Sequence, residues 1–428
     1  MKNFEKQFSD LLAYEPIKDD RLRTLRTKAF ESFIHTGLPT KKWEEWQFTD
    51  FTKLSSEEYR LAKDFDLPSI SDKIPGKISN CYTLIFVNGH YQPQFSHIPD
   101  TISVFTGADY LKSNPDVFLI DNESSKWTSK SNPFVSLNTS MMNSGLPIRI
   151  SENSNIEKPL QIIYLTTEIK DKLMNHPRFD IQLGKNSKIT IFEHYIGLTD
   201  HSYLTNAVTQ FYLSDNSQLS HIRLQEEDDT SHHIGFTNYN IEANSSLKSS
   251  YVTNGSLLSR NDVKINFMAQ GSYAQINGLS VTKENQHHDK HVIINHSNSA
   301  CQSDQLFKFV STDDASGVFN GKVVVGEDTK ATNANQSNKN LVLSPSAIMN
   351  ANPQLEIYAE DVKCSHGSTT GQIDTEALFY LRSRGLSRDE ANRLILNGFI
   401  SDILEKISNK EIKSYVDDVV SKKIRNIL

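Results

Sequence analysis

Short runs of alternating apolar and polar residues dominate the middle of the chain. From about residue 147, the segments IRIS, LQIIYLT, FDIQL, KITIFEHYI and AVTQFYL follow one another without a helical period between them. Alternation with a period of two is typical of β-strands. The pattern predicts a long strand-rich region that continues to about residue 362.

A repeat of polar turns lies within this region. The segments GKNSKIT, SDNSQLS, EANSSLK and AQGSYAQ align with one another. Their anchor residues are Asn186, Asn216, Asn244 and Gly271, which are 30, 28 and 27 residues apart. Asparagine and glycine tolerate the left-handed backbone angles that such turns need. A repeat of two strands and two turns favours stacked coils, so we predict a β-helix. Strand spacing alone does not exclude the alternative, an antiparallel sandwich.

Helical patterns precede the strands. Apolar residues between 22 and 34 recur at spacings of three and four, and Gly37 ends the pattern. The next segment, KKWEEWQFTDFTKL, holds Trp43, Trp46 and Phe48 close together. We interpret this aromatic cluster as a structural plug rather than a binding platform.

Helical patterns also follow the strands. Asp374 is positioned to cap a helix that ends before Gly385, and Ser387 with Glu390 forms a capping box for a second helix. A last amphipathic segment covers residues 409–427. We expect the terminal helical regions to cover the exposed sheet edges at the ends of the solenoid.

Three regions follow from these patterns. They are an N-terminal helical region over 1–80, a β-helix over 81–372 with the repeat clearest at 147–362, and a C-terminal helical region over 373–428. The fold class is therefore mainly β, a parallel β-helix flanked by helices.

Composition narrows the class of protein. Only 37% of the 428 residues are hydrophobic, but 22 Phe and 15 Tyr argue against wholesale disorder. A net charge of −7 argues against a nucleic-acid or anionic-membrane surface. The sequence has no apolar run of spanning length, and its N-terminus does not resemble a signal peptide. Three separated cysteines argue against a disulfide framework, so we expect a reducing cytoplasm.

Motif searches name no enzyme. The nucleophile elbow G-x-S-x-G, the Walker A loop, the dinucleotide fingerprint and HExxH are absent from the sequence. The densest histidine group, residues 286–296, has a zinc-like His-His-x-x-His spacing, but we interpret it as an exposed loop between strands. His232 and His233 would point to opposite faces of a strand. Asp313 with Asp314 is an unspecific carboxylate pair.

One further pair has chemical potential. In an extended segment, Cys364 and His366 would face the same side, so thiolate sulfur and imidazole nitrogen could meet one soft metal. Two ligands alone make an incomplete site. On local chemistry the simpler interpretation is a packed thiol beside a hydrogen-bonded imidazole.

Residues 333–399 carry a family resemblance. The stretch PQLEIYAEDVKCSHG, the Gly371-Gln372 step and FYLRSRG closely resemble the SufD branch of the SufB/SufD family, which belongs to the SUF iron–sulfur cluster assembly machinery. GLPTKKWEEWQFTD, LIFVNGHY, IEKPLQIIY and VFNGKVVV add weaker support. Leu381, at a position where SufB-like chains usually have cysteine, and the Ser365-His366-Gly367 context favour the SufD branch.

The resemblance implies a fold and a role. It implies a right-handed parallel β-helix and a non-catalytic scaffold that pairs with a SufB-like subunit through the last coils, or with itself when isolated. It implies no permanently bound cofactor, and the net charge and hydropathy described above predict no nucleic acid and no membrane as partners. His366, and with less support Cys364, would hold transient iron or a nascent cluster at the heterodimer interface, and exposed thiolates would make the site oxygen-sensitive.

The resemblance also implies a SufC-like ATPase as a second partner. This ATPase would dock on the C-terminal helices, through the amphipathic face of residues 387–407. The candidate contact residues are Phe379, Tyr380, Arg382, Arg384, Gly385, Leu394 and Phe399.

Two rival functions remain open from the sequence. A carbohydrate-active β-helix enzyme would need a carboxylate cluster on one solenoid face. A purely structural homodimer would use the same edge without metal.

Overall fold

The computed structural model describes residues 1–14, 20–63, 74–105, 132–142, 145–167 and 171–428. Residues 15–19 and 64–73 of the predicted N-terminal helical region lie outside the described residues. The helices are α1 (Lys2–Tyr14), α2 (Asp20–Thr36), α3 (Thr52–Ser56), α4 (Pro133–Met141), α5 (Thr375–Ser383), α6 (Arg388–Leu404) and α7 (Lys410–Asn426). No helix of the described ranges is both long and apolar enough to cross a membrane.

Strands fill the region between α4 and α5 and also precede it. They are β1 (Arg60–Leu61), β2 (Tyr82–Val87), β3 (His90–Tyr91), β4 (Ile102–Val104), β5 (Gly145–Ile150), β6 (Leu160–Thr167), β7 (Leu173–Asn175), β8 (Arg178–Leu183), β9 (Lys188–Leu198), β10 (Leu204–Leu213), β11 (Gln218–Glu226), β12 (His232–Ile241), β13 (Ser246–Thr253), β14 (Leu258–Phe267), β15 (Tyr273–Thr282), β16 (His287–His296), β17 (Gln302–Ser311), β18 (Ser316–Val325), β19 (Thr332–Val342), β20 (Ile348–Ile357) and β21 (Val362–Gly371).

Successive strands alternate between two sheets. From β8 onward, even-numbered strands form one sheet and odd-numbered strands form the other, and each strand pairs in parallel with the next of its own sheet. This is the predicted β-solenoid, and the antiparallel sandwich is excluded.

The predicted turn anchors set the register of the solenoid. Asn186, Asn216, Asn244 and Gly271 all have left-handed backbone angles, with φ of 56°, 59°, 54° and 79°. The paired residues of β9, β11, β13 and β15 are offset by the same 30, 28 and 27 residues as the anchors. The asparagine side chains also form a ladder, in which Asn216 Nδ2 donates to Asn186 Oδ1 at 3.2 Å. Both the repeat and its physical reason are confirmed.

The helix signals are confirmed as well. Gly37, which follows α2, has a φ of 73°. The side chain of Asp374 accepts hydrogen bonds from the first turn of α5, and Ser387 with Glu390 forms the capping box of α6. Asn409 caps α7.

The terminal helices do not cover the sheet edges as expected. Buried residues of α6 and α7 pack on outward-facing aliphatic residues of the odd-numbered sheet. The N-terminal helices and α4 pack beside the even-numbered sheet, where Trp46 is buried against Phe51 and Phe134. Wide apolar helix faces need a flat apolar surface, which a sheet face provides and an edge does not. The aromatic plug is confirmed for Trp46, whereas Phe48 is exposed.

The two ends of the solenoid differ. At the first coil, β4 pairs antiparallel with β5, and β3 pairs antiparallel with β2. At the last coil, β20 and β21 are the final strands of their sheets, and no other described strand pairs with their outer edges. The first coil therefore ends on short antiparallel strands, whereas the last coil ends on ten-residue parallel strands with unpaired edges, and we call this last coil the open end.

Candidate functional site

Cys364 and His366 lie on β21, the strand that forms the open edge. In the parallel register, Cys364 pairs with Ala334 and His366 with Gln336 of β19. The Cys364 side chain packs against an interior cluster that includes Val323 and Ala334. Alternate residues of a strand face the same side, so His366 also faces inward, and it is exposed because no further coil covers it. Both residues thus lie on one strand, as the prediction of a shared orientation requires.

The Cys364 thiol is not an exposed thiolate. Its side chain is half-buried, and this burial raises the pKa of the thiol, although a backbone hydrogen bond from Ala334 acts in the opposite direction. The expectation of oxygen-sensitive exposed thiolates is therefore wrong for this cysteine in the isolated chain. The apolar neighbours that favour packing also disfavour the negative charge.

The pair alone does not complete a metal site. Within the described ranges, no three His, Cys, Asp or Glu residues come together to hold a metal ion. One thiol and one imidazole can provide two soft ligands, whereas zinc or iron in a protein usually takes four. The chemistry available at this edge is that of half a site.

Apolar side chains surround the open end. Ile348, Ile357 and Tyr358 at the limits of β20 are large and exposed. Ile357 pairs with the fully buried Val325 of the coil beneath it, and Leu355 packs on the same interior cluster as Cys364. The last coil therefore presents an apolar core surface together with unpaired backbone groups, a combination suited to another sheet edge.

A second exposed surface lies on the helices that follow β21. Phe379 is 74% exposed, Tyr380 56% and Leu394 54%, and Arg384 donates to the Tyr380 hydroxyl at 3.3 Å. None of the residues of α5 is buried. Arg382 and Gly385 are exposed on the same stretch. We call Phe379, Tyr380, Arg382, Arg384, Gly385 and Leu394 the helical patch.

Two predicted features of this surface are corrected. Phe399 does not belong to the helical patch, because it packs on the sheet, where its carbonyl and ring contact the Lys308 ammonium. The apolar face of residues 387–407 is also occupied within the chain, since Leu396, Ile400 and Ile403 are buried against the odd-numbered sheet. The exposed apolar residues lie instead on α5 and on the outer face of α6.

Residues 286–296 are not an exposed loop, contrary to prediction. Residues 287–296 form β16, and its outward residues contact the N-terminal region and the neighbouring β14. Asp289 accepts hydrogen bonds from Thr49 and from Arg260 of β14, and His287 lies 3.0 Å from the Thr49 hydroxyl. Burial raises the pKa of Asp289, but the nearby His291 and Arg260 outweigh it, so the pKa is lowered overall. The polar residues misled the prediction because they face a packed interface rather than solvent.

Sequence reasoning also missed a buried polar network inside the solenoid. Arg223 donates to His233 Nε2 at 2.5 Å, and the opposite ring nitrogen lies 2.6 Å from the Glu227 carboxylate. A guanidinium has no acceptor, so His233 is neutral and donates to Glu227 through Nδ1. Burial lowers the pKa of His233 in agreement with this. His232 faces the other way, toward Tyr59, as predicted.

Two family models match adjoining parts of the chain, which together run from residue 3 to residue 399. The SufBD protein N-terminal region matches residues 3–162, and the SufBD core domain of SUF system FeS cluster assembly matches residues 164–399. This chain belongs to the SufBD family. The core match covers the solenoid from β6 through the open edge, α5 and most of α6.

Individual SufBD relatives cover most of the chain. An iron-sulfur cluster assembly SufBD family protein of Synechocystis is 31% identical over 94% of this chain and 91% of its own length. The iron-sulfur cluster assembly protein SufD of Escherichia coli is 29% identical over 90% and 89% of the two chains. SufD of Bacillus subtilis is 24% identical over 94% of both. The resemblance of residues 333–399 to SufD is thus part of a similarity along most of the chain.

Proposed function

We propose that this chain is a non-catalytic scaffold subunit of iron–sulfur cluster assembly that pairs with a SufB-like subunit through its open edge. The observation that carries the proposal is the last coil, which combines uncovered edge strands, an apolar rim and the inward-facing His366. An interface made by a second edge would satisfy the backbone groups and add ligands to His366. We further propose that the chain works in the cytoplasm, where its three free cysteines would stay reduced.

In this proposal His366 is a ligand for transient iron or a nascent cluster, and Cys364 contributes less. An imidazole holds iron less tightly than a thiolate does, so a cluster at this position could be passed on. The raised pKa of Cys364 favours the protonated thiol over the thiolate in the isolated chain. Binding of a metal would favour the thiolate instead, because the metal takes the deprotonated sulfur. The protein itself keeps no resident cofactor.

The experiment uses the full chain, co-purified anaerobically with its SufB-like and SufC-like partners. Cluster formation is followed by visible absorption and by iron content. We expect His366→Ala to lower cluster formation at least about tenfold if one ligand is lost, while the exposed His35→Ala on α2 leaves it unchanged. Cluster formation at the wild-type level in His366→Ala would refute the role of His366.

The helical patch supports a second partner. Exposed aromatic residues next to arginine are enriched where proteins bind one another, and the described part of the chain leaves Phe379 and Tyr380 without a packed environment. We propose that a SufC-like ATPase docks here. Only residues 372–374 separate β21 from α5, so movement of the ATPase would be transmitted to the strand that carries His366.

Two substitutions test the docking site. Phe379→Asp with Tyr380→Asp should weaken ATPase binding about tenfold to a hundredfold, the usual loss for interface anchors. Leu198→Asp, which alters a residue exposed on the solenoid, serves as the control. Equal ATPase binding by the double variant and the control in calorimetry would exclude the patch.

A further inference from the structure

The inward face of the last three odd-numbered strands becomes polar toward the open end. Ile276 of β15, Gln305 of β17, Gln336 of β19 and His366 of β21 occupy one column in the parallel register. In the neighbouring column, the Ser368 hydroxyl donates to Asn338 Oδ1 at 2.9 Å across the same pair of strands. Adjacent strands lie about 4.8 Å apart, so side chains that follow one another in a column are within hydrogen-bonding reach.

The amide of Gln336 is held in a defined place. Gln336 is 3% exposed, and its Nε2 donates to Gln305 Oε1 at 3.4 Å. Opposite it, on the even-numbered sheet, a Cβ at Gly321 would lie 1.8 Å from Gln336 Nε2. Glycine is therefore needed at position 321 because the amide fills the space that a side chain would take.

The carbonyl oxygen of this amide lacks a donor. Gln336 Oε1 is buried, and no donor among the described residues reaches it. A buried acceptor without a partner costs about 1–3 kcal/mol, so a nearby donor is expected to be used. The next side chain of the column is His366, whose ring carries an N–H in either neutral tautomer.

We propose that Gln336 is a positioning residue for His366. The exposed His366 ring, which makes no bond to Gln336 in this structure, turns to donate one ring N–H to Oε1, and this bond fixes the tautomer and the plane of the imidazole. The other ring nitrogen then keeps its lone pair for a ligand at the open edge, as in metal sites where a second hydrogen bond orients the histidine. The ligand part of this inference rests on the proposed function, whereas the hydrogen bond does not.

The test reads the tautomer of His366 directly. The full-length chain is labelled with ¹⁵N-histidine, His366→Ala assigns the resonance, and spectra are recorded at pH 8.5, above the ordinary imidazole pKa of about 6.5. We expect the tautomer ratio of His366 to differ from that of the exposed His35 by about threefold to tenfold, the range of one net hydrogen bond. A wild-type ratio equal to that of His35 would overturn the proposal whether or not any variant folds.

Variants identify Gln336 as the cause. Gln336→Met keeps the length of the side chain without the acceptor and should return the ratio to that of His35. Gly321→Ala should act in the same direction by displacing the amide. Ile276→Met, two coils deeper in the same column and without a contact to Gln336, is the matched control and should leave the ratio within about twofold of wild type. A ratio that persists in Gln336→Met would show that another group holds the ring.

The outcome is separable from that of the proposed function, because no iron is present in the measurement. If the tautomer responds to Gln336→Met but His366→Ala still assembles clusters, the positioning contact stands and the proposed ligand role falls. If His366→Ala abolishes assembly but the tautomer does not respond to Gln336→Met, the proposed ligand role stands and the positioning contact falls.

Discussion

At the scale of single residues, burial decides the chemistry of this chain more than residue type does. Cys364 and His366 are two residues apart and face the same side, yet one is half-buried and the other exposed. Among the other histidines, several lie in the interior of the solenoid or beneath the helices, where burial lowers their pKa. Such groups are neutral packing elements rather than ligands.

Buried histidines make stability depend on pH. Burial lowers the pKa of His296 to about 4, and its Nε2 lies 2.8 Å from the Ser303 hydroxyl. Between pH 6.5 and 4 the unfolded chain binds the proton and the folded chain does not, so stability falls as the pH falls. Between pH 7 and pH 4.5 this one group should lower the unfolding free energy of the wild type by about 2–3 kcal/mol. His296→Gln should therefore lose about that much less on acidification, which urea unfolding at both pH values measures.

The exposed His35 supplies the control for this measurement. His35→Gln should lose as much stability on acidification as wild type does, because it removes no buried imidazole. An equal acid dependence in His296→Gln and wild type would contradict the assignment of His296 as a neutral buried residue.

At the scale of elements, the turn anchors hold the coils in register. Asn216 has a φ of 59° and bonds Asn186 in the ladder. Asn216→Ala should cost about 1–3 kcal/mol in unfolding free energy, because alanine is strained in this backbone region and the ladder bond is lost. Asn216→Gly relieves the strain and should cost less, which thermal unfolding of the two variants can compare. Equal losses would show that backbone strain is not the cause.

The two faces of α6 provide a matched pair of leucines. Leu396 is fully buried on the sheet, whereas Leu394 is 54% exposed on the other side of the helix. Leu396→Ala should cost about 2–5 kcal/mol and raise hydrogen exchange in α6 and α7. Leu394→Ala should leave stability within about 0.5 kcal/mol and weaken only ATPase binding. Similar stability losses in both variants would contradict the docked orientation of α6.

Local signals predicted the elements, and long-range packing decided the rest. The left-handed anchors at Asn186, Asn216 and Asn244 and the caps at Asp374 and Ser387 depend on nearby residues, so the sequence predicted them correctly. The placement of the helices depends on which distant surface they meet, and that was predicted wrongly.

The candidate site was predicted only in part, for the same reason. The pair Cys364 and His366 is visible in the sequence, and its shared face follows from strand geometry. The role of β16 could not be predicted from the sequence, because Asp289 accepts a hydrogen bond from Thr49, which lies 240 residues earlier in the chain. The amide beneath His366 is also hidden, although polar residues at the inward positions of TNANQSNKN indicate that the core changes character there.

At the scale of the whole molecule, the two ends of the solenoid differ in their edge strands. One end finishes in short antiparallel strands, and the described helices pack on the sheet faces, so the last coil is left uncovered by the described residues. Open sheet edges normally lead to association unless they are blocked. Because this SufBD family chain has an unblocked edge, we expect the edge to bind a specific partner.

Ile357 tests this expectation, because it continues the buried column of Val325 at the open end. A partner that covers the edge must bury Ile357, so Ile357→Lys should weaken association with the SufB-like subunit about tenfold to a hundredfold. Leu198→Lys places the same charge at a residue of similar exposure, 43% against 40%, on the side of the solenoid. Sedimentation should show the complex preserved with Leu198→Lys and lost with Ile357→Lys at the same concentration. If both variants associate equally, the two subunits do not meet at this edge, and His366 has no partner to complete its site.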